Sequence, residues 1–138
     1  MNINYYLAVG TRENWKLAFA NGNVWGLKVN RKVTYDRLKS GDVVFFYVQA
    51  PIQSVVGYGS ITAKSRAAAP FFTDDFGAET KYPFRFIFEV LCPSSGSPLN
   101  GAWVSLKGLV KGRTLKKFHE LGPVKGPELL SRCREANA

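Results

Sequence analysis

Val43-Val44-Phe45-Phe46-Tyr47-Val48 is an unbroken run of β-branched and aromatic residues, and Ser54-Val55-Val56-Gly57-Tyr58-Gly59-Ser60-Ile61 follows it after Pro51. The first run predicts the strongest strand in the chain, since such side chains fit a pleated, packed surface. The second predicts the return strand, and Pro51 interrupts the ladder between them. The glycines of the return strand mark bends or bulges of the kind that curl a sheet into a small barrel. Lys39-Ser40-Gly41-Asp42 predicts the turn before this hairpin, and Val33 to Leu38 one or two helical turns before that.

Working outward, Tyr5 to Val9 predicts a buried first strand closed by Gly10. Thr11 or Asn14 would cap a helix through Trp15 and Ala20, ended by Asn21-Gly22. Gly22-Asn23-Val24-Trp25-Gly26-Leu27 then sets a large aromatic between two glycines, read as a turn. Trp25 there is either an exposed stacking platform or a core plug. Arg85 to Leu91 alternates as a half-buried strand, with Phe84, Phe86 and Phe88 on one face as core residues. Trp103 to Leu106 is a candidate last strand, and a C-terminal helix is expected from Pro127. Strands outnumber short helices, giving an α+β class around a small curled sheet or barrel, in one domain over 1–138.

The 138 residues carry a formal net charge of +9, which favours a polyanionic partner. Cys92 and Cys133 lie far apart without CxxC spacing, so neither a zinc site nor a disulfide framework is expected. The N-terminus lacks the basic and apolar regions of a signal peptide, and no apolar run reaches the ~20 residues of a membrane span. These readings lead to the expectation of a soluble cytoplasmic protein with reduced thiols, no membrane partner and no cofactor. Catalytic motifs are absent, and His119, the lone histidine, is read as a solvated helix residue. Asp74-Asp75 could orient a ligand from its loop, but is read first as a solvated loop tip. A small enzyme using Cys92, Cys133 or His119 would need one of them in a pocket beside Trp25.

The aromatic residues outside regular strands carry more information. Trp25, Phe71, Phe72, Phe76 and Tyr82 could surround a pocket and stack on a flat base, at roughly 1–3 kcal/mol per base. Thr11, Asn14 and backbone groups near Asn23 would supply polar contacts. Two basic stretches, Lys28 to Lys39 and Lys107 to Lys117, could track phosphates on either side, with Lys28, Arg31, Lys32, Lys111 and Arg113 as candidates.

Gly-Thr-Arg-Glu-Asn-Trp from Gly10, Asn-Val-Trp-Gly from Asn23, Lys-Ser-Gly-Asp-Val-Val-Phe-Phe-Tyr-Val from Lys39, Val-Gly-Tyr-Gly from Val56 and Tyr-Pro-Phe-Arg from Tyr82 occur in this order. Together they resemble the EVE domain family, a PUA-like family related to YTH domains. The resemblance implies a PUA-like small mixed β-barrel flanked by short helices, without catalysis. It also implies a pocket for a flipped, chemically modified base, whose extrusion an aromatic pocket offsets. Trp25 corresponds to the YTH cage tryptophan. Asn14 or Trp15 falls near the base edge, and Thr11 lines the pocket. Where YTH domains place a tryptophan-containing loop, this chain has Phe71, Phe72, Phe76 and Tyr82. EVE domains are associated with modified DNA, including 5-methylcytosine, its hydroxymethyl form and N6-methyladenine, sometimes beside the nuclease or ATPase of a modification-dependent restriction system. DNA therefore stands ahead of RNA as the expected partner. The alternatives are a PUA-like RNA binder, and a nucleoside-binding protein or minor enzyme.

Overall fold

The computed structural model describes residues 2–75, 79–110 and 117–137. Phe76, Lys111 and Arg113 lie outside the described residues. Six strands form one curled sheet: β1 (Tyr5–Gly10), β2 (Val24–Leu27), β3 (Val43–Val48), β4 (Ser54–Arg66), β5 (Phe84–Cys92) and β6 (His119–Leu121). The order across the sheet is β2-β5-β4-β3-β1-β6. β1 runs parallel to β3, and every other neighbouring pair is antiparallel. Three helices accompany the sheet: α1 (Arg12–Ala20), α2 (Lys32–Arg37) and α3 (Lys125–Ala136). None of the described helices is long and apolar enough to cross a membrane.

β3 is buried along its whole length because both faces of the sheet are covered. On one face Tyr6, Ala8, Val44, Phe46 and Val48 meet Trp15 and Ala18 of α1, together with Phe84, Phe86 and Phe88. On the other, Leu7, Val43, Phe45 and Tyr47 meet Leu129 and Cys133 of α3. β4 runs to Arg66, longer than the glycine-rich stretch predicts, and its register slips at Tyr58/Gly59 and Ile61/Ala63. A side chain at Gly57 or Gly59 would strike the backbone of β5, so these glycines sit where the strands press closest across the bulges. That is how a six-stranded sheet acquires its curl.

Five expectations are corrected. Val24–Trp25 is not a turn but the start of β2, with Trp25 opposite Phe86. Gly22 (φ 86°) and Asn23 (φ 62°) make the turn instead, in the left-handed region that glycine and asparagine tolerate. Trp103 to Leu106 forms no strand, since only Val104 bridges to Val55 and Trp103 is 55% exposed. His119 opens β6 rather than sitting on a helix, because pairing with Leu7 draws this short polar segment into the sheet. Asp75 is buried rather than solvated. The C-terminal helix begins at Lys125, two residues before Pro127, with Pro127 in its first turn where a missing N–H costs nothing.

Candidate nucleic-acid interface

Gly10 ends β1 and Thr11 caps α1, accepting the Asn14 N–H at 3.2 Å. The chain reverses there, and beside that reversal lies a cavity of about 360 Å³, at the small end for a ligand pocket. Thr11 and Asn14 line it from α1, Trp25, Gly26 and Leu27 from β2, and Lys28, Asn30 and Arg31 from the segment after β2. Phe72, Thr73, Asp74 and Tyr82 close one side, while Gln49, Lys117 and Phe118 complete the wall. Two separated stretches of sequence, 11–31 and 72–82, therefore share one mouth.

Trp25 is only 5% exposed. Trp15 lies nearly parallel to it, with ring centroids 3.8 Å apart, and covers one of its faces. Gly10 leaves room for the Trp25 ring edge, where a side chain would overlap it. Phe72 packs on Trp25 with centroids 4.9 Å apart at 58°. Two rings that hold a base between them need about 7 Å, twice a stacking contact. Trp25 and Phe72 therefore cannot serve as opposite walls in this arrangement. What Trp25 offers the cavity is a ring edge backed by packed aromatics. Tyr82, half-buried and edge-on to Phe72 at 5.0 Å, is the more accessible ring.

Trp15 is fully buried and donates its indole N–H to the Tyr47 carbonyl at 2.8 Å, so it is a core residue and does not reach the cavity. Asn23 is also outside the lining: its N–H bonds Ala18, and its carbonyl accepts from Phe88. Phe71 packs against Phe72 and under the Arg85 guanidinium, away from the opening. Lys32 is exposed and paired with Asp36 at 2.6 Å, outside the cavity wall. Thr11, Asn14, Trp25, Phe72, Tyr82, Lys28 and Arg31 are brought together.

The 71–82 segment is held by Asp75, whose carboxylate accepts from the Phe71 N–H (2.9 Å), the Thr80 hydroxyl (2.5 Å) and the Lys81 N–H (2.7 Å). Burial alone pushes the Asp75 carboxyl up, but these hydrogen bonds and the Arg85 charge reverse that and hold it below its usual range. Arg85 secures the other side by donating to the Ala69 and Tyr82 carbonyls. The segment is tied to α1 by Thr73, whose N–H and hydroxyl both donate to Asn14 Oδ1, at 3.0 and 2.9 Å. Tyr82 donates its hydroxyl to Asp74 at 2.6 Å, and burial with that neighbouring charge pushes its phenol well above the usual tyrosine range. Gln49, Thr73 and Phe118 escaped the sequence reading, Asn30 and Lys117 entered it only as members of the two basic stretches, and Asp74 only as a loop-tip acid that could orient a ligand. Gln49 and Phe118 reach the cavity only through strand order.

The electrostatics are lopsided. Lys28, Arg31 and Lys117 line the cavity against one carboxylate, Asp74. The Lys28 ammonium stands 5.8 Å from the centre of the Tyr82 ring. Cys92 at the end of β5 meets Cys133 on the buried side of α3, and the Cys133 thiol is pushed up to about 12 by burial and its neighbour Cys92. Neither thiol lines this cavity, and nor does His119. Among the described residues no group of three metal-binding side chains comes together.

No family profile matches the chain. A UPF0310 protein of Pyrococcus horikoshii is 27% identical over 92 residues, 60% of this chain and 63% of that protein. One of Pyrococcus abyssi is 38% identical over 47 residues, 34% of this chain and 32% of that protein. The chain thus spans less than two thirds of either relative. Solved structures match over nearly the full length. The YTH domain of Mmi1 in complex with RNA superposes with a TM-score of 0.64 at 12% identity, covering 98% of this chain and 83% of that one. The YTH domain of Zygosaccharomyces rouxii MRB1 in complex with N6-methyladenosine RNA gives 0.58 at 15%, covering 94% and 86%. An ASCH protein mutant from Zymomonas mobilis gives 0.59 at 12%, covering 92% and 94%. The fold of this chain is the YTH/PUA-like one.

Proposed function

We propose that this chain is an EVE-type nucleic-acid-binding module that admits a modified base to the cavity beside Trp25 and performs no chemistry of its own. The observation that carries this reading is one mouth where aromatic rings (Trp25, Phe72, Tyr82) meet three cations (Lys28, Arg31 and Lys117) that have no ion-pair partner among the described residues. Phosphate contacts from the cations would give affinity without sequence information, leaving the cavity to specify. Lys111 and Arg113 are carried as candidate phosphate contacts and Phe76 as a candidate aromatic on their sequence alone. The base would sit on Tyr82 and against the edges of Trp25 and Phe72, since the Trp25–Phe72 pair leaves no gap.

DNA is the narrower substrate we propose, in the setting of a nuclease or ATPase partner whose target the module selects. The second reading is RNA, favoured because superposable YTH domains are described in complex with RNA, one carrying N6-methyladenosine. Fluorescence anisotropy with matched DNA and RNA oligonucleotides tests both, using unmodified strands and strands with 5-methylcytosine, 5-hydroxymethylcytosine or N6-methyladenine. The expected result is preference for one modified strand and a steep salt dependence. Lys28→Ala and Arg31→Ala should each lower the salt slope by about 1. Equal binding of every strand would overturn base reading. A flat salt dependence, with free nucleoside bound as well, would make the chain a small-molecule binder.

A further inference from the structure

Asn14 and Asp74 stand on the same rim of the cavity, joined through Thr73. The Thr73 backbone N–H can only donate, so the atom of Asn14 that receives it is the carbonyl oxygen. The Asn14 amide NH₂ is thereby turned away from Thr73, and it has no acceptor among the described residues. Asp74 is the mirror case. One carboxylate oxygen takes the single Tyr82 hydroxyl proton. The other has neither a hydrogen-bond donor nor an ion-pair partner among the described residues, although Lys28, Arg31 and Lys117 line the same cavity. The rim thus presents a fixed donor beside a fixed, charged acceptor.

A carboxylate in a phosphate-binding mouth weakens affinity for the backbone, so its use has to lie elsewhere. Carboxylates read base edges by accepting from exocyclic amines. We propose that Asp74, with Asn14 beside it, is the specificity-determining pair that selects an amino base, of the cytosine or adenine type, over its keto counterpart. This rests on the reading that the cavity takes a base. An amino base presents an exocyclic N–H next to a ring-nitrogen acceptor, matching acceptor to donor at both positions. The keto base carries the two in reverse order, so in the same pose its carbonyl oxygen faces the Asp74 carboxylate. Two acceptors then meet with no proton between them, and the Asn14 NH₂ meets a ring N–H.

The test uses single-stranded DNA oligonucleotides that differ at one position: 5-methylcytosine, thymine or an abasic site. The first two share ring and methyl group and differ only in the edge that Asp74 and Asn14 face. The intact chain should favour 5-methylcytosine over thymine by roughly tenfold, within the range for one well-placed pair. Asp74→Asn keeps an acceptor for Tyr82 but offers either polarity, and should bring the ratio to about threefold or less while raising overall affinity. Adenine against hypoxanthine should behave in the same way. If both base-bearing strands outbind the abasic one but thymine equals or exceeds 5-methylcytosine, the Asp74 assignment is wrong and base reading survives. An unchanged ratio in Asp74→Asn also overturns the assignment. If the abasic strand binds as well as the others, base reading itself fails.

Discussion

The two faces of the sheet are built for different ends. On the α3 face Leu7, Val55, Leu121, Cys92 and the rings of Phe45, Tyr47 and Tyr58 pack with Leu129 and Cys133 of the helix, and no tryptophan takes part. The α1 face is filled with Tyr6, Trp15, Trp25, Phe46, Phe72, Phe86 and Phe118, and at the end of β1 it opens into the cavity. Each face has a glycine tight against an aromatic ring: Gly126 against Tyr5 on the α3 side, and Gly10 against Trp25 on the other. Beneath the middle of α3 the side chains close on one another. Stacked aromatics leave rigid edges, and backing Trp25 with Trp15 fixes the wall of the cavity before anything enters it.

If the α3 face only stabilises, its core variants should change stability without changing recognition. Leu129→Ala, at a fully buried position, should cost about 2–5 kcal/mol in chemical denaturation. The folded protein should keep its ranking of modified over unmodified oligonucleotides. A changed ranking would erase the division between the faces.

The paired glycines sharpen it. Gly126→Ala and Gly10→Ala each force a ring to move and should each cost about 1–3 kcal/mol. Only Gly10→Ala, which displaces Trp25 from Trp15, should alter tryptophan emission and weaken oligonucleotide binding. If Gly126→Ala impairs binding equally, the cavity is not where recognition occurs.

Tyr82→Ala removes the most accessible cavity ring, and should weaken binding of the preferred strand by about 1–3 kcal/mol in anisotropy titrations. The salt slope should hardly move, since Tyr82 carries no charge. A steep loss of slope instead would assign Tyr82 to ordering the phosphate contacts.

The smallest effect is on the loop. Asp75 is held below its usual value of 3.8 in the folded chain. Its contribution is therefore complete above that value and is lost as pH falls through the depressed folded value. Hydrogen exchange of the Phe71 and Lys81 amides should accelerate in that acidic window, before the amides of β3 respond. Asp75→Asn should expose the same amides at neutral pH. Synchronous opening of loop and sheet would show that Asp75 does not hold the segment on its own.

These expectations also mark how far the sequence reads. The hairpin of β3 and β4 was legible because local composition and burial agree there, and Phe84, Phe86 and Phe88 announced their face by period two. Thr11 was legible as a cap because capping is decided within three residues. Trp25 was not, since its burial depends on Trp15 ten residues earlier and on pairing with Phe86 sixty-one residues later. β6 was missed for the same reason: His119-Glu120-Leu121 has no strand composition, and only the free edge of β1 makes it one. At the site, the aromatic and basic stretches were visible, but their convergence was not. Asn14 and Thr73 lie fifty-nine residues apart, and no local pattern reports that they touch.

The most direct test is a ¹H–¹⁵N NMR titration of the labelled chain with the oligonucleotide it prefers. The expected result is a set of shifts confined to Thr11, Asn14, Gly26, Lys28, Thr73 and the Trp25 indole N–H, with Leu129 and Cys133 unmoved. Shifts centred on α3, or none at saturating strand, would contradict the assignment of this cavity as the place where nucleic acid is read.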